Sequence, residues 1–265
     1  MPAYFDFLID EFRRGHGSRD VHLGYWDDPP SLDMPCHSRE FETAQARLTE
    51  IMIGLADLRG AHDVLDIGCG LGGTLEALAR WPDMRLVGIN VDRRQLDICR
   101  GVPVVGNSLS LVMADACTLP FRSASFDRVF CVEAAFHFRS RGMFLYEAAN
   151  ALRAGGRLVL SDILLGDPGQ DAPYDRDAVA AAIRRDYGPW PQLWVKIEEI
   201  LDAARHAGLR PDRVIDATRQ TLPSYRVTAP QHHDAASAVP SAGEAMRWLH
   251  ANGHLSYVCL SFVKN

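Results

Sequence analysis

Residues 63–78, DVLDIGCGLGGTLEAL, constrain the fold more than any other stretch. A β-rich run meets four glycines, Gly68, Gly70, Gly72 and Gly73, and helix-forming residues follow at once. A strand that turns through glycine into a helix lets backbone N–H groups come close to a ligand, so the turn reads as a cofactor site. Two patterns overlap in it. Gly68, Gly70 and Gly73 spell G-x-G-x-x-G, and Gly68, Gly70 and Gly72 spell the tighter G-x-G-x-G. The glycines alone do not choose between cofactors.

The same alternation runs along most of the chain. After a helix over 39–58, strands are expected at 63–67, 85–89, 109–114, 128–134 and 156–162, with helices at 74–81, 93–100 and 143–152 between them. This predicts an α/β, Rossmann-like, doubly wound sheet of seven mostly parallel strands. The tail departs from the rhythm. A helix over 194–209 ends near Gly208, a strand follows at 213–218, and a helix near AGEAMRWLHA has Ser241 as its cap. The last strand, HLSYVCLSFVKN, lacks the usual crossover and is expected to run antiparallel. The 265 residues are read as one domain: a helical N-terminal cap (1–60), a cofactor-binding core (61–162), and insertions at 163–193 and 219–254 that cover the substrate.

The formal net charge of −6 argues against a nucleic-acid partner, whose phosphates favour a basic face. The six cysteines show neither C-x-x-C nor zinc spacing, so no metal is expected and the thiols read as reduced and buried. The first fifteen residues look like neither a signal peptide nor an anchor, and no apolar run approaches the ~20 residues of a membrane span. A cytoplasmic protein is the expectation, with a homo-oligomer left open.

The neighbours of the glycines discriminate between cofactors. A dinucleotide site predicts an acid at the end of the second strand, for a ribose hydroxyl, and Asn90 stands there. Asp66 lies inside the first strand, where a carboxylate suits a cationic cofactor better than a pyrophosphate. S-adenosylmethionine is such a cation. Five segments in order, HLGYW (22–26), LDIGCGLGG (65–73), GINVDRRQ (88–95), ADACTLPF (114–121) and VEAAFHF with ALRAGGRLVLSD, resemble the class I S-adenosylmethionine-dependent methyltransferases. The closest likeness is to bacterial enzymes that tailor sugars, polyketides and terpenoids.

The resemblance implies roles residue by residue. Gly68, Cys69 and Gly70 run along the methionine part of the cofactor, with Asp66 beneath its ammonium. Asn90, Val91 and Gln95 meet the ribose and adenine; most relatives carry an acid where Asn90 stands, which puts ribose affinity in question. Asp115 accepts from the adenine amino group, with Ala116 against the ring. Glu133 and Ala134 line the site, and Tyr25 and Gln45 close the methionine end. Plainer readings compete: strand-end caps for Asp66 and Asp115, a small filler for Cys69, a solvated Gln95, a core Tyr25.

For the chemistry, His137 and Asp162 follow two strand ends and match a base pair proposed in similar sugar-tailoring enzymes; their plainer readings are a structural histidine and a cap. Arg139 and Arg141 are read either as binding an anionic substrate group or as solvated. Tyr174, Tyr187, Trp190 and Trp194 mark the 162–194 stretch as a lid. The expected activity is O- or C-methylation of a small-molecule acceptor, a secondary metabolite, with S-adenosylhomocysteine as product. Alternatives remain: an NAD-dependent oxidoreductase, a nucleic-acid or protein methyltransferase, or a non-catalytic S-adenosylmethionine-binding protein.

Overall fold

Successive side chains along the central strands enter two different apolar layers. Val159 packs with Leu48, Met52 and Leu75, while its neighbours Leu158 and Leu160 pack with Phe144, Leu145 and Ala204. That is the period-2 pattern of a sheet covered by helices on both faces. The computed structural model describes residues 3–167, 173, 175–228 and 241–265. Seven strands, β1 (Asp63–Ile67), β2 (Arg85–Asn90), β3 (Ser108–Met113), β4 (Phe126–Val132), β5 (Leu152–Leu165), β6 (Leu209–Asp216) and β7 (Leu255–Lys264), form one sheet. Their order is β3-β2-β1-β4-β5-β7-β6. Strands β1 to β5 pair in parallel, and β7 lies antiparallel between β5 and β6, as expected for the last strand.

The helices are α1 (Ala3–Arg13), α2 (Ser38–Ala56), α3 (Gly73–Leu78), α4 (Arg93–Cys99), α5 (Arg141–Ala151), α6 (Arg176–Tyr187), α7 (Ile197–His206), α8 (Thr218–Thr221), α9 (Tyr225–Thr228) and α10 (Ala242–Ala251). Local chemistry sets several starts. Asp92 caps α4, Ser140 caps α5, and Ser241 with Glu244 forms a capping box on α10, as its sequence suggested.

Several boundaries differ from expectation. The helix expected over 194–209 runs over Ile197–His206, and β6 starts at Leu209 rather than 213. Strand β5 starts at Leu152 rather than 156, because Leu152 already pairs with Phe126 through a register shift. The stretch 162–194, read as an irregular lid, contains α6. Its Asp- and Arg-rich composition hides the stripe Val179, Ala180, Ala182 and Ile183, which is buried. Residues 219–228, read as irregular, hold short helical turns. Tyr174 and residues 229–240 lie outside the described residues. Among the described residues no helix is long and apolar enough to cross a membrane.

Candidate active site

From β1 the chain builds the sheet outward through β2 and β3 on one side, then returns through β4 and β5 on the other. The carboxyl ends of β1 and β4 therefore diverge, which is where parallel sheets bind ligands. A cleft of about 1240 Å³ opens there. Its floor is the glycine turn and the ends of β2 and β4. One wall is the segment 16–23 and the other is residues 184–190, with α1 across the top.

The glycine turn is a cradle with no room for side chains. Gly68 has φ +74°, and a Cβ there would meet that of Ala134 at 2.5 Å. A Cβ on Gly73 would lie 2.1 Å from Asp20 Oδ1. Cys69 turns away from the cleft and packs on Cys99, with their sulfurs 3.9 Å apart, so the small-filler reading describes its side chain. Beneath the turn Asp66 is buried, and its Oδ2 has no hydrogen-bond partner. Burial pushes the carboxyl up to about 7. Asp66 does not itself line the cleft, so an orphaned buried oxygen of this kind fits a water bridging to a cofactor ammonium.

At the other end of the floor, Asn90, Val91, Gln95, Asp115 and Ala116 all line the cleft. Asn90 Nδ2 donates to Gln95 Oε1 at 2.9 Å, and Asn90 Oδ1 accepts from the Asp92 N–H at 3.0 Å. Gln95 is buried rather than solvated. Asp115 is exposed to the cleft, yet its Oδ1 also caps the Cys117 N–H at 2.8 Å, so the capping role is present beside the cleft position.

Glu133 and Ala134 line the centre of the cleft. Glu133 has φ +47°, sparsely populated for a residue with a side chain. Three contacts hold it: its N–H donates to Ser161 Oγ at 3.0 Å, and its Oε1 accepts from Leu23 N at 2.6 Å and from the Tyr257 hydroxyl at 2.7 Å. Burial raises its carboxyl above the usual range, against the pull of His22 and Tyr257.

The paired base of His137 and Asp162 is not assembled. His137 lines the cleft, and its Nδ1 lies 3.0 Å from the carbonyl oxygen of Pro189. A carbonyl only accepts, so Nδ1 carries the proton. Burial lowers the ring below the ordinary histidine value of 6.5, which leaves the neutral form with its lone pair on Nε2. Asp162 is fully buried under the sheet edge and takes Arg141 Nε at 2.6 Å and Nη2 at 3.1 Å. Its Oδ1 also accepts from the Ile163 N–H. Both Asp162 oxygens are thus occupied within the protein. Arg141 is buried with it, so it is neither solvated nor available to a substrate anion; Arg139 remains exposed on the cleft.

Tyr25 does not line the cleft; it packs against the core beside α2. Gln45 does line it, but its Nε2 is committed to the carbonyls of Asp20 and His22, at 2.9 and 2.7 Å. Of the expected lid aromatics, Tyr187 and Trp190 face the cleft. Trp194 lies outside it, under the guanidinium of Arg176 at 4.8 Å. Sequence reasoning missed Tyr4, Phe5 and Phe12 of α1, whose helical spacing was a usable signal, and Tyr225, for which no local signal exists.

Fold and cradle together define a Rossmann-like protein that holds a cofactor at the carboxyl edge of its sheet. Residues 65–160 match the family model described as "Methyltransferase domain". The 27-O-demethylrifamycin SV methyltransferase of Amycolatopsis mediterranei is 32% identical over 91% of this chain and 89% of its own. A putative sarcosine dimethylglycine methyltransferase from Galdieria sulphuraria superposes with a TM-score of 0.78 at 17% identity, covering 99% of this chain and 98% of that one. The geranyl diphosphate C-methyltransferase of Streptomyces coelicolor, solved with Mg2+, geranyl diphosphate and S-adenosyl-L-homocysteine, gives 0.73 at 18% identity, covering 99% and 98%. This chain belongs to the class I S-adenosylmethionine-dependent methyltransferases. It is an enzyme, and its methyl donor is S-adenosylmethionine; the oxidoreductase and non-catalytic readings fall away.

Proposed function

We propose that this enzyme methylates a hydroxyl oxygen of a bulky, largely apolar secondary metabolite. The observation that carries the reading is the extension of the cleft beyond its cofactor end, between aromatic walls. Tyr4, Phe5 and Phe12 come from α1, Phe136 and Trp190 stack with ring centroids 4.2 Å apart, and Tyr187 and Tyr225 complete the enclosure. The cleft exceeds the ~300–1,000 Å³ that one small ligand occupies, so it has room for a large acceptor beside the cofactor. The full-length likeness to an O-methyltransferase of a rifamycin precursor supports an oxygen acceptor of that size.

S-adenosylmethionine, when bound, supplies a methyl group already activated on a sulfonium. The cradle at Gly68 and Gly70, with Asp66 below it, holds the methionine end. Asn90, Val91 and Gln95 lie along the ribose and adenine, and Asp115 and Ala116 close the adenine end. The aromatic walls align the acceptor and exclude water, an effect worth up to ~7–11 kcal/mol. His137 Nε2 takes the hydroxyl proton, and the Pro189 carbonyl fixes the tautomer in place of the expected Asp162. Such a base contributes ~10²–10⁴-fold.

The test is turnover of 27-O-demethylrifamycin SV and other multiply hydroxylated polyketides, with the site of the added methyl assigned by NMR. A methyl on carbon or nitrogen, or no transfer to any hydroxylated acceptor, overturns the reading. With a working acceptor, His137→Ala should lower kcat at least about tenfold while cofactor affinity stays within a few-fold. Wild-type rate should fall on the acid side, with its limb below the ordinary histidine value of 6.5. Full turnover by His137→Ala would leave positioning alone to account for the chemistry.

A further inference from the structure

Both ring nitrogens of His22 face groups that accept hydrogen bonds. Nδ1 lies 2.8 Å from the Leu23 carbonyl oxygen. Nε2 lies 3.2 Å from Asp20 Oδ1 and 3.0 Å from Thr49 Oγ1. The Thr49 hydroxyl donates its proton to the same Asp20 oxygen at 3.3 Å, so toward the ring it accepts. A histidine that donates from both nitrogens is an imidazolium. The ring is only 6% exposed, and a buried cation costs free energy unless paired.

The position of this cation joins the two ends of the cleft. Asp20, its partner, packs against Gly73 at the start of α3. Leu23, whose carbonyl it binds, donates its own N–H to Glu133 at 2.6 Å. Residues 20–23 all line the cleft, and Gln45 of α2 clamps the backbone at Asp20 and His22.

We propose that His22 is a positioning residue for methyl transfer: as a buried cation it draws Asp20 and Leu23 together, holding the 20–23 segment against the glycine cradle and Glu133 in place in the cleft. Loss of its charge releases the segment, so cofactor affinity falls although the cradle itself is unaltered. The charged groups around the ring agree with this. Asp20 comes from its own segment, Glu133 from the end of β4 and Asp66 from β1, while α2 contributes the neutral Thr49 and Gln45; Arg80 acts on Asp20. Burial opposes the charge, but Asp20 and Glu133 outweigh it and lift His22 to about 9.

Two measurements on the full chain test this. In ligand-free protein with 15N-labelled histidine, one of the ten imidazoles should remain doubly protonated at pH 8, and that signal should vanish in His22→Asn. Calorimetry with S-adenosylhomocysteine should show wild-type affinity undiminished up to pH 8 and at least fivefold weaker at pH 10. Asp20→Asn should move that alkaline limb down by at least one pH unit, and His22→Asn should be weaker throughout. The shift in Asp20→Asn separates His22 from the ligand's own amine, and it carries the test if His22→Asn does not fold. No imidazolium at pH 8, or an unmoved limb in Asp20→Asn, overturns the proposal.

Discussion

At Gly68 the backbone is left-handed, and the space a side chain needs is held by Ala134 rather than left open for the cofactor. Gly68→Ala therefore meets two costs, ~1–2 kcal/mol for the conformation and the collision with Ala134 on top of it. Calorimetry with S-adenosylhomocysteine should show binding lost, and thermal denaturation a lowered Tm. Asp66 beneath the cradle and His22 in the cleft wall set a pH dependence of their own. Asp66 is raised by burial from 3.8 to about 7, and His22 from 6.5 to about 9, where Asp20 outweighs burial. A group whose value is raised on folding contributes stability below its unfolded value and loses it as pH rises through the folded one. Ligand-free Tm should thus decline from about pH 4 to about pH 9, the Asp66 loss running from 3.8 to about 7 and the His22 loss from 6.5 to about 9. His22→Asn should remove the upper loss; a Tm flat across this range would contradict both assignments.

The helix α1 roofs the cleft by contacts of unequal weight. Arg94 of α4 reaches Asp6 at 2.6 Å, but both are substantially exposed, so the pair is worth at most ~1 kcal/mol. The ring contacts are closer to the chemistry: Tyr4 meets Tyr187 edge-on at 5.1 Å, and Phe5 meets His137 at 5.7 Å. Tyr4→Ala is expected to raise the acceptor KM at least about fivefold, the scale of a lost aromatic pair, with S-adenosylhomocysteine affinity little changed. Equal losses in both would place Tyr4 at the cofactor instead. Legibility differed between elements for a physical reason. Helix α2 shows its apolar stripe over five turns, whereas α6 carries a short Ala-rich stripe among Asp and Arg and was hidden by composition.

Across the whole molecule, the Arg141–Asp162 pair joins the start of α5 to the carboxyl-terminal part of β5, with Arg141 Nη1 also donating to the Gln192 carbonyl at 2.7 Å. Breaking a buried pair leaves an uncompensated charge and costs ~3–5 kcal/mol. Arg141→Met and Asp162→Ala should each lower Tm by about 6 °C or more for a chain of this size. The loss should appear in the melting curve before it appears in kcat at low temperature. A variant of Asp162 with unchanged Tm and abolished turnover would restore it to the chemistry.

The sheet, its antiparallel last strand, the cradle and the cofactor were readable in the residues because each rests on local patterning. Strand and helix periods, turn glycines and caps act over a few positions, and the motifs that resemble the family are contiguous. What surrounds the reacting groups was not readable in that way. Leu23 and Tyr257 meet Glu133 across 110 and 124 residues. Pro189 reaches His137 across 52, and Arg141 removes Asp162 from the cleft across 21. No sequence spacing encodes which buried polar groups will satisfy each other. Packing brings them together and desolvation forces the choice, so the partners of Glu133 and His137 were decided by the tertiary structure alone.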